Sequence, residues 1–172
     1  TGQLGAEELV AAYRELGKTY GTVLEQPYEA SEAWRHLLEV DGTDFEALDE
    51  LEKIYRAEER WEDVVGVKMQ RAAAFSDAEE KVRELLEVTE LWRSPLEAYD
   101  NATVAYDRIL EVEPLHERAF KELERLHTRA ERWEPLLELY LNRLEYLEEV
   151  PVRNGLLRRI ARVFEERLDD AN

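Results

Sequence analysis

The chain of 172 residues carries 41 Asp and Glu against 23 Lys and Arg, a formal net charge of -18, and has no cysteine. That balance argues against nonspecific binding to DNA or an anionic membrane, and the missing cysteines exclude a disulfide framework, a thiolate metal site and a thiol nucleophile. No run approaches the ~20 apolar residues of a spanning helix and TGQLGAEELV lacks the blocks of a secretory leader, so a cytoplasmic protein is expected, and the opening on Thr1 reads as a fragment of a longer chain.

Seven glycines and five prolines among abundant Glu, Leu, Ala and Arg set a strong helical prior. Apolar residues recur at spacings of three and four, as in Leu48, Leu51, Ile54 and Tyr55, and no sustained period-two run marks a strand. Nine helices are predicted, at about 6–25, 29–40, 44–58, 61–75, 78–94, 97–112, 116–130, 133–148 and 152–168. Pro27, Pro95, Pro114, Pro135 and Pro151 fall between two of these blocks or in the first turn of one, where a missing N–H is tolerated. The connections are short, which turns neighbouring helices antiparallel.

Sliding the sequence by 72 residues lays 33–62, AWRHLLEVDGTDFEALDELEKIYRAEERWE, over 105–134, AYDRILEVEPLHERAFKELERLHTRAERWE. Ala33 matches Ala105, Leu38-Glu39-Val40 matches Leu110-Glu111-Val112, and Glu59-Arg60-Trp61-Glu62 matches Glu131-Arg132-Trp133-Glu134. Four helices per duplicated block make the elementary unit a helix pair of about 36 residues, within the range of helical solenoids.

The first unit presents Tyr13, Leu16-Gly17, Tyr20, Ala30, Trp34 and Leu37, and the third presents Leu85, Val88-Thr89, Trp92, Ala102, Tyr106, Ile109 and Pro114. The second and fourth, with Leu48, Leu51-Glu52, Tyr55 and Phe120, Leu123-Glu124, His127, put Glu at the small position; Leu157, Ile160-Ala161 and Phe164 begin a fifth. On these anchors the chain resembles the tetratricopeptide repeat family, with half-a-TPR repeats as near relatives. The resemblance implies one all-α domain over 1–172, with antiparallel helix pairs at about 6–40, 44–75, 78–112 and 116–148 and a half repeat at 152–168, stacked as a right-handed superhelix. In such a stack a stripe at i, i+3 and i+7 packs the first helix of each pair, and a small residue lets the second approach. Trp34, Trp61, Trp92 and Trp133 are then expected between helices.

No phosphate loop, dinucleotide turn or nucleophile elbow is present, and paired glutamates such as Glu7-Glu8 and Glu165-Glu166 read as solvated helix faces. His36 is alone on its helix, while His116 and His127 are about 16 Å apart at the helical rise, too far to share a metal. The expectation is a protein that is not an enzyme, with no cofactor and no metal.

The family resemblance implies that the first helix of each pair lines a concave face. Counted from Tyr13, Leu48, Leu85, Phe120 and Leu157, 25 positions face inward, among them 12 basic and five acidic, a net +7 against -25 for the rest. The candidate partner-binding residues are Arg14, Lys18, Lys53, Arg56, Arg83, Arg93, Arg118, Lys121, Arg125, Arg129, Arg158 and Arg162, with Arg118, Lys121, Arg125 and Arg129 on successive turns of one helix. Such a groove would attract an acidic or carboxylate-bearing peptide, although pairing of Arg or Lys with Glu three or four residues away also explains part of the pattern. The rival readings are a structural scaffold that self-associates through its exposed C-terminal helix and RNA binding, which the acidic remainder and the lack of groove aromatics disfavour.

Overall fold

In the computed structural model, which describes residues 5–168, helices start where the sequence offers a cap. Asp44, Asp77 and His116 accept hydrogen bonds from the backbone N–H of Ala47, Glu80 and Ala119 at 2.8, 3.0 and 3.1 Å, satisfying donors that the first helical turn leaves unpaired. Asp44 and His116 are 72 residues apart, so the duplicated blocks keep the cap while changing its chemistry. Nine α-helices result among the described residues: α1 Ala6–Lys18, α2 Pro27–Val40, α3 Phe45–Ala57, α4 Trp61–Ala74, α5 Ala78–Arg93, α6 Ala102–Val112, α7 Glu117–Arg129, α8 Trp133–Tyr146 and α9 Val150–Val163. α1 and α9 continue into single π-helical turns, Thr19–Val23 and Phe164–Leu168, and no strand occurs among the described residues.

The turns repeat as well. Glu25, Glu59, Glu97 and Glu131 take left-handed backbone conformations, with φ of 52°, 56°, 51° and 54°. Behind Glu59 and Glu131 the N–H of Arg60 reaches back to Tyr55 O and that of Arg132 to His127 O, both at 2.9 Å, closing the helix end in a Schellman motif. The duplicated ERWE is this turn. Glu97 in the same conformation explains why α6 begins at Ala102 and not near 97: Asn101 and Ala102 bond back to Ala98 and Tyr99 as a separate turn, which Asp100 and Asn101 favour.

The chain divides into two compact units, Thr1–Leu96 and Glu97–Asn172. In the first, α1 to α5 each pack on the next; in the second, α6 to α9 do the same. This succession of neighbour contacts is that of a helical repeat, and the fold is all-α. The third expected pair, 78–112, contributes α5 to the first unit and α6 to the second.

Most of the expected anchors form the core. Trp34, Leu37, Leu48, Leu51 and Tyr55 are buried in the first unit, and Tyr106, Ile109, Phe120 and Leu123 in the second. Each such side chain contributes roughly 1.5–3 kcal/mol through removal from water. Of the four tryptophans only Trp34 is fully enclosed; Trp61, Trp92 and Trp133 are half-buried. Leu16 is exposed, and on α9 the buried stripe is Leu156, Ile160 and Val163, leaving the expected anchors Leu157, Ala161 and Phe164 facing outward.

Gly17 is the position where a side chain is physically excluded. A Cβ built there would lie 2.5 Å from the Trp34 ring, so α1 and α2 meet at a distance only glycine permits. Gly17→Ala is expected to lower the stability of the chain by about 1–3 kcal/mol through overpacking, measured by urea unfolding; an unchanged midpoint would show that the two helices have room to separate.

Candidate interaction surface

The twelve candidate cations occupy α1, α3, α5, α7 and α9, the first helices of the pairs. Most are engaged by carboxylates. Arg14 pairs with Asp44 and, at 2.9 Å, with Glu46, which also takes Lys18 at 2.9 Å. Lys53 meets Glu50 at 2.6 Å, Arg56 meets Glu52 at 2.8 Å, Arg83 pairs with Glu80, and Arg93 lies 3.4 Å from Glu90. On α7 Lys121 pairs with Glu117 at 3.0 Å and Arg125 with Glu122 at 2.8 Å, while Arg118 also has a partner. Arg162 stands 3.9 Å from Glu166, and neither Arg129 nor Arg158 has an ion pair among the described residues.

Two consequences follow. Several of the neutralising acids, Asp44, Glu50, Glu80, Glu117 and Glu122 among them, lie outside the 25 inward positions but beside the cations, so the field along the stripe is weaker than a net +7 over those positions implies. Yet the pairs on α7 stand in water: the Lys121 and Arg125 side chains are 67% and 47% exposed. Exposed pairs of this kind contribute about 0–1 kcal/mol and are screened by salt, so an incoming anion can displace them.

Stripe positions border grooves in both units. In the first, a groove of about 590 Å³ is lined by Lys18, Gly21, Thr22 and Glu46 of the stripe, with Trp34 and Ile54 supplying apolar wall. In the second, Lys121 and Gly155 edge a smaller groove of about 330 Å³ with Phe120 and Leu156. The π-helical turn after Lys18 places Gly21 and Thr22 at the first groove, a local widening of the kind that recurs at functional sites.

Two cations on a second helix behave differently. Lys68 and Arg71 of α4 are 3% and 8% exposed. Lys68 reaches Glu87 at 2.7 Å, Glu84 at 3.1 Å and Glu52 at 3.3 Å; Arg71 reaches Glu52 at 2.6 Å and Asp49 at 3.0 Å. The cluster ties α3, α4 and α5 together. Burial works against the Lys68 charge, but the Glu87 and Glu84 carboxylates outweigh it and hold its pKa above the ordinary lysine value. For Glu52 burial pushes the pKa up, and the hydrogen bonds from Arg56 and Arg71 with the Lys68 charge pull it below the ordinary value. Lys68 and Arg71 are not among the twelve candidate cations expected from the sequence. The available signal was Glu52 at a small-residue position, which requires a buried partner.

The second unit solves the same position otherwise. Glu124, 72 residues after Glu52, accepts 2.6 Å hydrogen bonds from the Tyr140 hydroxyl and from Arg159. Burial and the Glu124 carboxylate push the Tyr140 pKa up. Arg143 lies over the Phe120 ring at 4.1 Å and pairs with Glu117 at 2.5 Å. Of the histidines, His36 bonds Glu39, His116 caps α7, and His127 is buried with its pKa lowered by burial and by the nearby Arg132 charge. Among the described residues no group of three or more His, Asp or Glu is arranged to hold a metal ion, and no helix is long and apolar enough to cross a membrane.

Fold and surface together define an all-α helical-repeat protein whose first helices carry exposed, weakly paired cations. No family model and no curated protein matches the chain. Among solved structures the chain is similar to two crystal structures of MamA. One is 17% identical, with a TM-score of 0.39, covering 94% of this chain and 80% of the other. The second is 16% identical, with a TM-score of 0.34, covering 96% and 95%.

Lys68→Met leaves the buried Glu84 with only the 3.5 Å approach of Arg71, which Glu52 already engages at 2.6 Å, and is expected to destabilise the chain by about 3–5 kcal/mol in urea unfolding. Adding Glu84→Leu should recover much of that loss, because the corresponding positions of the second unit are Tyr140 and Leu156. The raised Lys68 pKa and lowered Glu52 pKa set the sign of the pH dependence. The network's contribution is lost as pH falls through the folded Glu52 value or rises through that of Lys68, and is complete between the ordinary Glu and Lys ranges.

Proposed function

We propose that this chain is a non-catalytic protein-interaction module, working in a cytoplasmic setting, whose first-helix cations receive an acidic or carboxylate-bearing peptide. The observation that carries this reading is a row of Arg and Lys side chains, most of them held by exposed ion pairs, of which Lys18 and Lys121 border a groove in each unit. An incoming carboxylate would exchange a weak pair within one helix for a charge-assisted hydrogen bond shared between chains, and the Trp34 and Phe120 walls would shelter apolar side chains of the same peptide. Arg118, Lys121, Arg125 and Arg129 form the densest part of the row, on successive turns of α7. The resemblance to tetratricopeptide repeats supports the same reading.

A second reading, self-association through the C-terminal helix, is favoured by the outward Leu157 of α9 and Phe164 of the π-helical turn that continues it, which are 47% and 48% exposed.

The first reading is tested by fluorescence anisotropy with a labelled hexaglutamate peptide carrying a free C-terminal carboxylate, and hexalysine as control. Binding of hexaglutamate that weakens steeply with added salt is expected. It should be abolished by Arg118→Glu with Arg125→Glu at unchanged far-UV circular dichroism. Undiminished binding by that double variant would reject the α7 site.

A further inference from the structure

The second unit contains a groove edged by carboxylates that the proposed peptide site does not use. It has a volume of about 660 Å³ and lies along α6 and α8, the second helices of their pairs, with Asp107 and Glu111 on one side and Glu138 and Glu145 on the other. None of these four carboxylates has an ion pair among the described residues, so the groove carries uncompensated negative charge on both sides. Leu110, Leu139 and Tyr146 give it an apolar floor. Burial of the Asp107 carboxyl, although the residue as a whole remains exposed, raises its pKa, and the adjacent Glu111 charge adds to the rise. A cation seated there would relieve both. His127 borders the same groove, only 8% exposed, and its Nδ1 has no hydrogen-bond partner.

The complementary chemistry is present on α9. Its inward stripe, Leu156, Ile160 and Val163, is buried in the second unit, where α9 packs on α8, while Leu157, Ala161 and Phe164 form an outward stripe at i, i+4 and i+7. That spacing is the anchor pattern of a helix laid in an apolar groove. Arg158 and Arg162 flank the stripe; the first has no ion pair among the described residues and the second only the 3.9 Å approach of Glu166. Because α9 is held to α8 by its inward stripe, its outward stripe cannot turn into the groove of its own molecule.

We propose that the α6–α8 groove receives α9 of a second copy of this chain, with Leu157 and Phe164 on the apolar floor and Arg158 and Arg162 against the four carboxylates. The proposal rests on the self-association reading and names the receiving surface. The two contacting patches differ, so the contact is heterologous and propagates head to tail unless the rotation closes a ring.

Sedimentation velocity of the full chain over a concentration series is the test, with two charge-reversed double variants, Glu138→Arg with Glu145→Arg in the groove and Arg158→Glu with Arg162→Glu on α9. The wild-type mean mass should rise with concentration and fall with added salt. Each variant alone, with unchanged circular dichroism, should associate about tenfold or more weakly, since like charges would then face each other. An equimolar mixture of the two variants should associate again, because each basic patch meets an acidic one. Association lost in the α9 variant but kept in the groove variant would reject this groove and leave self-association through α9 standing. A wild type that stays monomeric throughout would overturn both, whatever other basic segment the groove binds.

Discussion

The distance between the first and second helix of a pair is the constraint on which the rest of this structure depends. Where the facing residue is Gly17, the helices close until the Trp34 ring occupies the space a Cβ would take. Where it is Glu52 or Glu124, a carboxylate occupies the interface, and the second helix must answer with a polar group. Lys68 does so at 3.3 Å and the Tyr140 hydroxyl at 2.6 Å. A buried carboxylate without such an answer would carry the full desolvation cost of its charge. The duplicated block therefore conserves a geometric requirement while its chemistry varies.

That requirement sorts the charges of the molecule. Lys68, Arg71 and Glu84 are enclosed and hold helices in place. Most cations of the first helices are exposed, and the pairs that Lys53, Lys121 and Arg125 make to acids three or four residues away cost little to break. Only the second class is free to recognise a partner. Net charge of the whole chain says nothing of this division, because an acidic total is compatible with cation rows on α7 and α9 and with carboxylates gathered along α6 and α8.

Much of the fold was legible in the sequence. The 72-residue period located the turns at Glu59 and Glu131, and the anchors Trp34, Leu51, Tyr106 and Leu123 are core residues because a 3.6-residue period states which side of a helix is apolar. Periodicity fails where a helix has two apolar stripes: on α9 both Leu156–Ile160–Val163 and Leu157–Ala161–Phe164 satisfy it, and only packing on α8 decides between them. It also treats every Lys as outward, which hid Lys68. The start of α6 was missed because a left-handed Glu97 has no composition signal of its own. Pairs within a helix, such as Glu122 with Arg125, could be read from spacing, whereas Arg14 with Glu46 and Glu124 with Arg159 required the helices to be assembled.

The central claim, that a polar contact closes the helix pair wherever the small residue is absent, is tested most directly by a double-mutant cycle on Glu124 and Tyr140. Glu124→Gln, Tyr140→Phe and the double variant would be compared with the wild type in urea unfolding. A coupling energy of about 1–2 kcal/mol is predicted for this charge-assisted hydrogen bond. Additive effects, with coupling within about 0.3 kcal/mol of zero, would contradict the account.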